Sequence, residues 1–190
     1  MEEKKITRAT GFTPPWYFES VTDVLYSDNF PWFYKDKIVT NPSMQCEQLK
    51  FAKNQSGFAH IMFRDGKPES QYFQLIVPFI NAVQEQFDEE INELIRVRVQ
   101  MTTNRGEAGC LNPHIDFDYS HKTVLWYLND SDGDTIFFNE YLGDKFDKLT
   151  YQDRNKPTAN QAVLFNGLQY HCTSLPQESS FRIVLNLNYI

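Results

Sequence analysis

His114 and Asp116 stand two positions apart in Asn112-Pro113-His114-Ile115-Asp116-Phe117. On a strand, side chains at i and i+2 leave the same face, so this stretch would present an imidazole and a carboxylate together. A second imidazole is available from His171, in Gln169-Tyr170-His171-Cys172-Thr173. Two neutral imidazoles and one carboxylate on one side of an ion form the facial triad suited to Fe(II), which leaves neighbouring coordination positions open. Arg182, in Phe181-Arg182-Ile183-Val184, adds a planar cationic fork that suits a carboxylate. A lone His-x-Asp is also a common surface pair, and His121 competes as a ligand from beyond the turn at Asp118-Tyr119-Ser120.

Positioning these groups requires strands. From Leu94 the pattern has period two: Arg96, Arg98, Gln100 and Thr102 alternate with Ile95, Val97, Val99 and Met101. After a loop at 104–109 come the His-x-Asp strand and the β-prone run Lys122 to Asn129. Asp130 to Asp134 turns the chain into Thr135-Ile136-Phe137-Phe138. Residues 140–160 read as a charged loop with a short strand near Leu149-Thr150-Tyr151. Gln161 to Phe165 then meets Asn166-Gly167, a hairpin signal, which leads into the stretch bearing His171. On the last strand Arg182, Val184, Asn186 and Asn188 share one face, and Ile183, Leu185 and Leu187 share the other. With Arg182 and the triad candidates present, we read the polar face as pocket-lining and the apolar face as packed on helices.

The first half is expected to brace that core. Thr13-Pro14-Pro15 is turn-rich, and Trp16, Tyr17 and Phe18 anchor the segment. Phe30-Pro31-Trp32-Phe33-Tyr34 reads as packing, and a turn is expected at Asn41-Pro42-Ser43. Phe58 to Phe63 reads as a strand stopped by Arg64-Asp65-Gly66, with His60 an ordinary strand histidine. Tyr72, Leu75, Ile76, Phe79, Val83 and Phe87 make an apolar stripe on a helix from Ser70 to about Glu90, which Pro78 should kink or split. The chain is thus one domain, with N-terminal strands and a bracing helix in 1–93 and an all-β core in 94–190.

Over 94–190 the order of these features resembles the 2-oxoglutarate- and Fe(II)-dependent oxygenases, and within them the prolyl 4-hydroxylase-like branch. The resemblance implies a mostly β fold with bracing helices, the double-stranded β-helix or jelly roll. It implies that His114, Asp116 and His171 bind Fe(II) and that Arg182 and Tyr127 hold the distal carboxylate of 2-oxoglutarate; the parity of the last strand adds Asn186 and Asn188 as candidates to line the cosubstrate or substrate pocket. Dioxygen would be cosubstrate and succinate a product. The substrate would be hydroxylated at an aliphatic C–H, a prolyl residue of a peptide being one such target and a free small molecule another. Where the family carries a tyrosine before the Gly-containing loop, this chain has Met101-Thr102-Thr103.

Composition narrows the rivals. Apolar residues form 41% and aromatics 15%, which marks a globular chain. The net charge of −7 and the lack of a Lys/Arg run disfavour a nucleic-acid partner. Three cysteines without a CxxC pair argue against disulfides or a zinc knuckle and for a reduced, cytoplasmic setting. Met1-Glu2-Glu3-Lys4-Lys5 leads into no apolar run, so neither a signal peptide nor a membrane span is expected. A jelly-roll module binding metal or ligand without turnover remains as an alternative. A nucleobase demethylase is weaker, because Asn186 and Asn188 stand where a second Arg would be expected. The loops 104–112 and 140–158 are expected to cover the pocket mouth.

Overall fold

Alternation of branched apolar and polar residues, the clearest signal in the sequence, builds the central strands of the larger sheet. The computed structural model describes residues 5–39 and 44–190; the expected turn at 41–43 and the charged start at 1–4 lie outside these. In chain order the elements are β1 (Thr7–Thr10), α1 (Pro15–Tyr26), β2 (Phe33–Lys35), β3 (Gly57–Arg64), β4 (Lys67–Pro68), α2 (Phe73–Phe87) and β5 (Leu94–Thr103). They continue as β6 (Lys122–Tyr127), β7 (Thr135–Tyr141), β8 (Tyr151–Asn155), β9 (Gln161–Asn166), β10 (Gln169–Thr173) and β11 (Phe181–Tyr189). The large sheet runs β1-β9-β6-β11-β5-β3-β2, with β4 on β3, and a three-stranded sheet runs β10-β7-β8. No helix among the described residues is long and apolar enough to cross a membrane.

The parity of β11 sorts the core into layers. Ile183, Leu185 and Leu187 pack with Val97, Val99, Val124 and Trp126 under Tyr17, Val21 and Leu25 of α1 and Ile76, Phe79 and Val83 of α2. Val184, Leu125, Tyr127, Val163 and Phe165 face inward and meet Phe137 of the small sheet. Beyond the small sheet, Ile136, Phe138 and Cys172 pack with Cys46, Cys110 and Leu149. The three cysteines are free.

Several expectations need correction. Of the kink or split expected at Pro78, the split does not occur, since α2 runs through it. The Tyr17 hydroxyl donates to the Leu75 carbonyl at 2.7 Å and accepts the Phe79 amide at 3.2 Å, bridging the backbone pair beside the proline. α2 starts at Phe73 rather than Ser70, whose hydroxyl accepts the Tyr72 amide at 3.2 Å. α1 went unread, although Pro15 at a first-turn position and Tyr17, Val21 and Leu25 at helical spacing were its signal. β1 has no apolar alternation to betray it. The strand expected at 149–151 begins only at Tyr151.

Asn166-Gly167 does not close a hairpin, because β9 and β10 belong to different sheets. The Asn166 side chain accepts the Leu168 amide at 2.9 Å, and the Gly167 amide donates to the His121 carbonyl at 2.9 Å, so the turn passes the chain between layers. His114 and Asp116 do not share a regular strand either: His114 forms an isolated bridge and Asp116 lies in a bend.

Candidate active site

β10 fixes His171 by pairing it with Phe137 of β7. His114 reaches it from an irregular segment that docks on β10, where Leu111 N donates to Thr173 O at 2.8 Å. The His114 and His171 amides each donate to the other residue's carbonyl, at 2.9 and 3.0 Å. Their ring centroids lie 4.5 Å apart, and the edge of Phe165 supports His171 at 4.9 Å. Each Nδ1 faces a carbonyl two residues back, Asn112 O at 3.2 Å and Gln169 O at 3.0 Å. That hydrogen bond assigns the proton to Nδ1 and leaves Nε2 with its lone pair free. Burial, reinforced by the neighbouring ring, pushes His114 down to about 3, and burial lowers His171 too, so both rings are neutral.

The same narrow pocket is lined by Gln100, Thr102, Leu125, Arg182, Val184 and Asn186. Arg182 is 3% exposed, and its Nη2 donates to Thr135 Oγ1 at 2.8 Å. Tyr127 donates to that same oxygen at 2.8 Å, and the guanidinium carbon sits 5.4 Å from the centre of the Tyr127 ring. Arg182 has no ion-pair partner among the described residues, and its Nε is buried without an acceptor. Gly133 leaves it room, since a Cβ there would lie 3.1 Å from Arg182 Cδ. Thr135 is the member that sequence reasoning missed, although it opens the Thr135-Ile136-Phe137-Phe138 run that follows the turn.

Asp116 is held differently. Its Oδ1 lies 2.5 Å from Arg96 Nη2 and 3.7 Å from Arg98 Nη2. Its Oδ2 accepts from Asn186 and Asn188, each at 3.0 Å. Burial alone would raise its carboxyl, but the two guanidiniums hold it well below the usual carboxylate range. Among the described residues no three His, Cys, Asp or Glu side chains are arranged around one ion. The donor types nevertheless fit a divalent metal. Two buried imidazoles offer free Nε2 atoms, and a carboxylate has about four lone-pair sites, of which the hydrogen bonds above use three. Ligating carboxylates normally keep such outer hydrogen bonds. The unpaired, buried Arg182 fits the free carboxylate of a cosubstrate.

The other histidines stand apart. His121 lines a separate cleft with Glu89, Lys122 and Tyr189, and its Nδ1 faces Tyr119 O at 2.8 Å. His60 sits between Pro31 O at 2.8 Å and Ser70 Oγ at 2.7 Å. Of the expected covers, 104–112 supplies Leu111 to the pocket, whereas 140–158 supplies no lining residue.

No family model matches the chain, and no curated protein matches it. Solved structures do. A 2OG-Fe(II) oxygenase family oxidoreductase from Burkholderia pseudomallei superposes with a TM-score of 0.66 at 10% identity, over 97% of this chain and 84% of that one. A Trichoplax adhaerens prolyl hydroxylase, solved with a hypoxia inducible factor oxygen degradation domain peptide fragment, gives 0.62 at 15% identity, over 98% and 82%. HygX from Streptomyces hygroscopicus, solved with nickel and 2-oxoglutarate bound, gives 0.60 at 12% identity, over 98% and 82%. The fold is the double-stranded β-helix of the 2-oxoglutarate/Fe(II) oxygenases. In this double-stranded β-helix the candidate residues all lie between the two sheets, with the helices on the outer face of the larger one.

Proposed function

We propose that the protein is an Fe(II)- and 2-oxoglutarate-dependent dioxygenase that hydroxylates an aliphatic C–H. The observation that carries this reading is one pocket holding two neutral imidazoles, their centroids 4.5 Å apart, together with a buried arginine; among the described residues neither Nε2 is hydrogen-bonded and the arginine has no ion-pair partner. His114, His171 and Asp116 would hold Fe(II). When bound, Fe(II), 2-oxoglutarate and dioxygen supply the oxidation, with succinate and carbon dioxide released and a hydroxyl delivered to substrate carbon. Arg182 would receive the distal carboxylate of 2-oxoglutarate, and Thr135 and Tyr127 fix the fork that receives it. Val184 and Leu125 exclude water from the pocket wall. Asn186 and Asn188 orient the Asp116 carboxylate from behind.

A second reading, a jelly-roll module that binds its ligand without turnover, is favoured by the grip of Arg96, Asn186 and Asn188 on Asp116. Succinate formation from 2-oxoglutarate with Fe(II) under air separates the two. The dioxygenase forms succinate, and His114→Ala and Asp116→Ala each abolish it; absence of succinate across a peptide and metabolite screen, or unchanged turnover in both variants, rejects the assignment. A prolyl peptide is one arm of that screen and free small molecules are another.

A further inference from the structure

The inward faces of β5 and β11 carry more positive charge than the proposed reaction uses. Arg96 and Arg98 stand on β5 opposite Asn188 and Asn186 of β11, and Arg182 stands opposite Thr102. Four residues of strand, at about 3.4 Å each, separate the Arg98 level from the Arg182 level, so one small dicarboxylate held at Arg182 does not also satisfy Arg98. Among the described residues Arg96 and Arg98 have a single carboxylate between them within ion-pair distance, Asp116. The Arg98 side chain forms no hydrogen bond among the described residues, and the opposite charge within ion-pair distance there is Asp116 at 3.7 Å. The side chains of Arg96 and Arg98 are 14% and 15% exposed, and the Nε of each is buried without an acceptor. Arg96 is also fixed from below by Phe117, whose ring centre lies 4.7 Å from its guanidinium carbon.

Guanidiniums this enclosed are stable only beside anions. Both reach toward the same Asp116 oxygen, but only Arg96 is within hydrogen-bond distance of it, so the Arg98 fork is left with unused donors beside that carboxylate. Once Asp116 gives part of its charge to a metal, the surplus grows. We propose that Arg96 and Arg98 form a second anion site, and that the substrate of this pocket carries an anionic oxygen group, a carboxylate or phosphate, which they receive. The inference rests on the dioxygenase reading for the identity of the ligand as substrate, and on the arginine geometry alone for the existence of the site.

The test uses full-length protein loaded with Ni(II) and saturated with 2-oxoglutarate, so that Arg182 is occupied and no turnover follows. Sulfate is the probe, titrated against chloride at equal ionic strength, with melting temperature as readout. Sulfate also stabilises proteins generally through exclusion from their surfaces, so the diagnostic signal is a saturable rise. Wild-type protein shows that rise. Arg98→Gln loses it while keeping its response to 2-oxoglutarate, and Arg96→Gln, which also releases Asp116, binds sulfate at least about tenfold more weakly, as expected for one charge-assisted hydrogen bond. Arg182→Gln, assayed with Ni(II) alone, does the reverse, losing the 2-oxoglutarate response and keeping the sulfate one. A wild-type protein without a saturable sulfate response overturns the site. So does Arg98→Gln with weakened Ni(II) binding and an unchanged sulfate response, the result expected if the arginines only steady Asp116. Should Arg98→Gln fail to fold, Arg98→Lys keeps the charge but not the fork, and must bind sulfate more weakly than wild type. Loss of the 2-oxoglutarate response in wild type with the sulfate response intact would reject the dioxygenase reading and leave the anion site standing.

Discussion

The backbones of His114 and His171 exchange two hydrogen bonds, so the separation of the two imidazoles is set by main chain rather than by side-chain packing. Each ring is then held through Nδ1 by its own i−2 carbonyl, which leaves Nε2 of each as the nitrogen available to a ligand. Ni(II) titrated calorimetrically into the protein should bind at this pair. His114→Ala and His171→Ala should each weaken it by more than about 100-fold, since loss of a mere outer-shell partner already costs 10–100-fold. Equal affinity in wild type and both variants would move the ion elsewhere.

Arg182 is a buried cation that forms no ion pair among the described residues; Asp134 acts on it only from beyond ion-pair distance. Replacing it by an apolar side chain of similar length removes an unfavourable desolvation, so Arg182→Met without ligand should melt at or above wild type. Saturation with 2-oxoglutarate should stabilise wild type by about 2.7 kcal/mol at 100 times Kd and leave Arg182→Met unmoved. A variant that still responds to 2-oxoglutarate would remove Arg182 from the cosubstrate's reach.

The contrast between what the sequence revealed and what it hid follows from range. The strands β5, β6, β9 and β11 were legible because alternation is local, and β11 even declared which of its faces holds Arg182 and Asn186. The conformation of Asp116 was not legible: a His-x-Asp pair looks the same on a strand and in a bend, and the bend exists because Arg96, Asn186 and Asn188 draw the carboxylate inward from distant positions. The Asn166-Gly167 turn misled for a related reason. Its chemistry specifies a reversal, but which sheet receives the next strand depends on β7. The polar strand β1 was invisible because what holds it is long-range: its pairing with β9 and the bonds of Arg8 to Asp153 and Asn155 of β8.

Tyr17 stands in for a backbone hydrogen bond that Pro78 has opened. Tyr17→Phe keeps the ring's packing but leaves the Leu75 carbonyl and the Phe79 amide unsatisfied in a buried place, at a cost of about 1–3 kcal/mol. For a chain of this size each kcal/mol lowers Tm by about 2–4 °C. In a Pro78→Ala background the helix can close the Leu75–Phe79 pair itself, and the cost of Tyr17→Phe should fall. Equal costs in both backgrounds, read from the double-mutant cycle, would show that the hydroxyl does not substitute for the ladder.

Gly167 owes its place to His121 rather than to backbone conformation. A Cβ at this position would lie 2.1 Å from His121 Nε2 and 2.2 Å from its Cδ2. The ring cannot easily retreat, because its Nδ1 is bound to Tyr119 O and its face meets the edge of Phe117 at 5.4 Å. Gly167→Ala should therefore cost about 1–3 kcal/mol as an overpacking change, and His121→Ala should recover most of that cost in the double variant. The turn leads directly into the strand that carries His171, so Ni(II) affinity should fall along with stability in Gly167→Ala and return with His121→Ala. Unchanged melting in Gly167→Ala would mean that the ring and the turn are not in contact, and full loss of stability without recovery in the double variant would place the strain in the backbone instead.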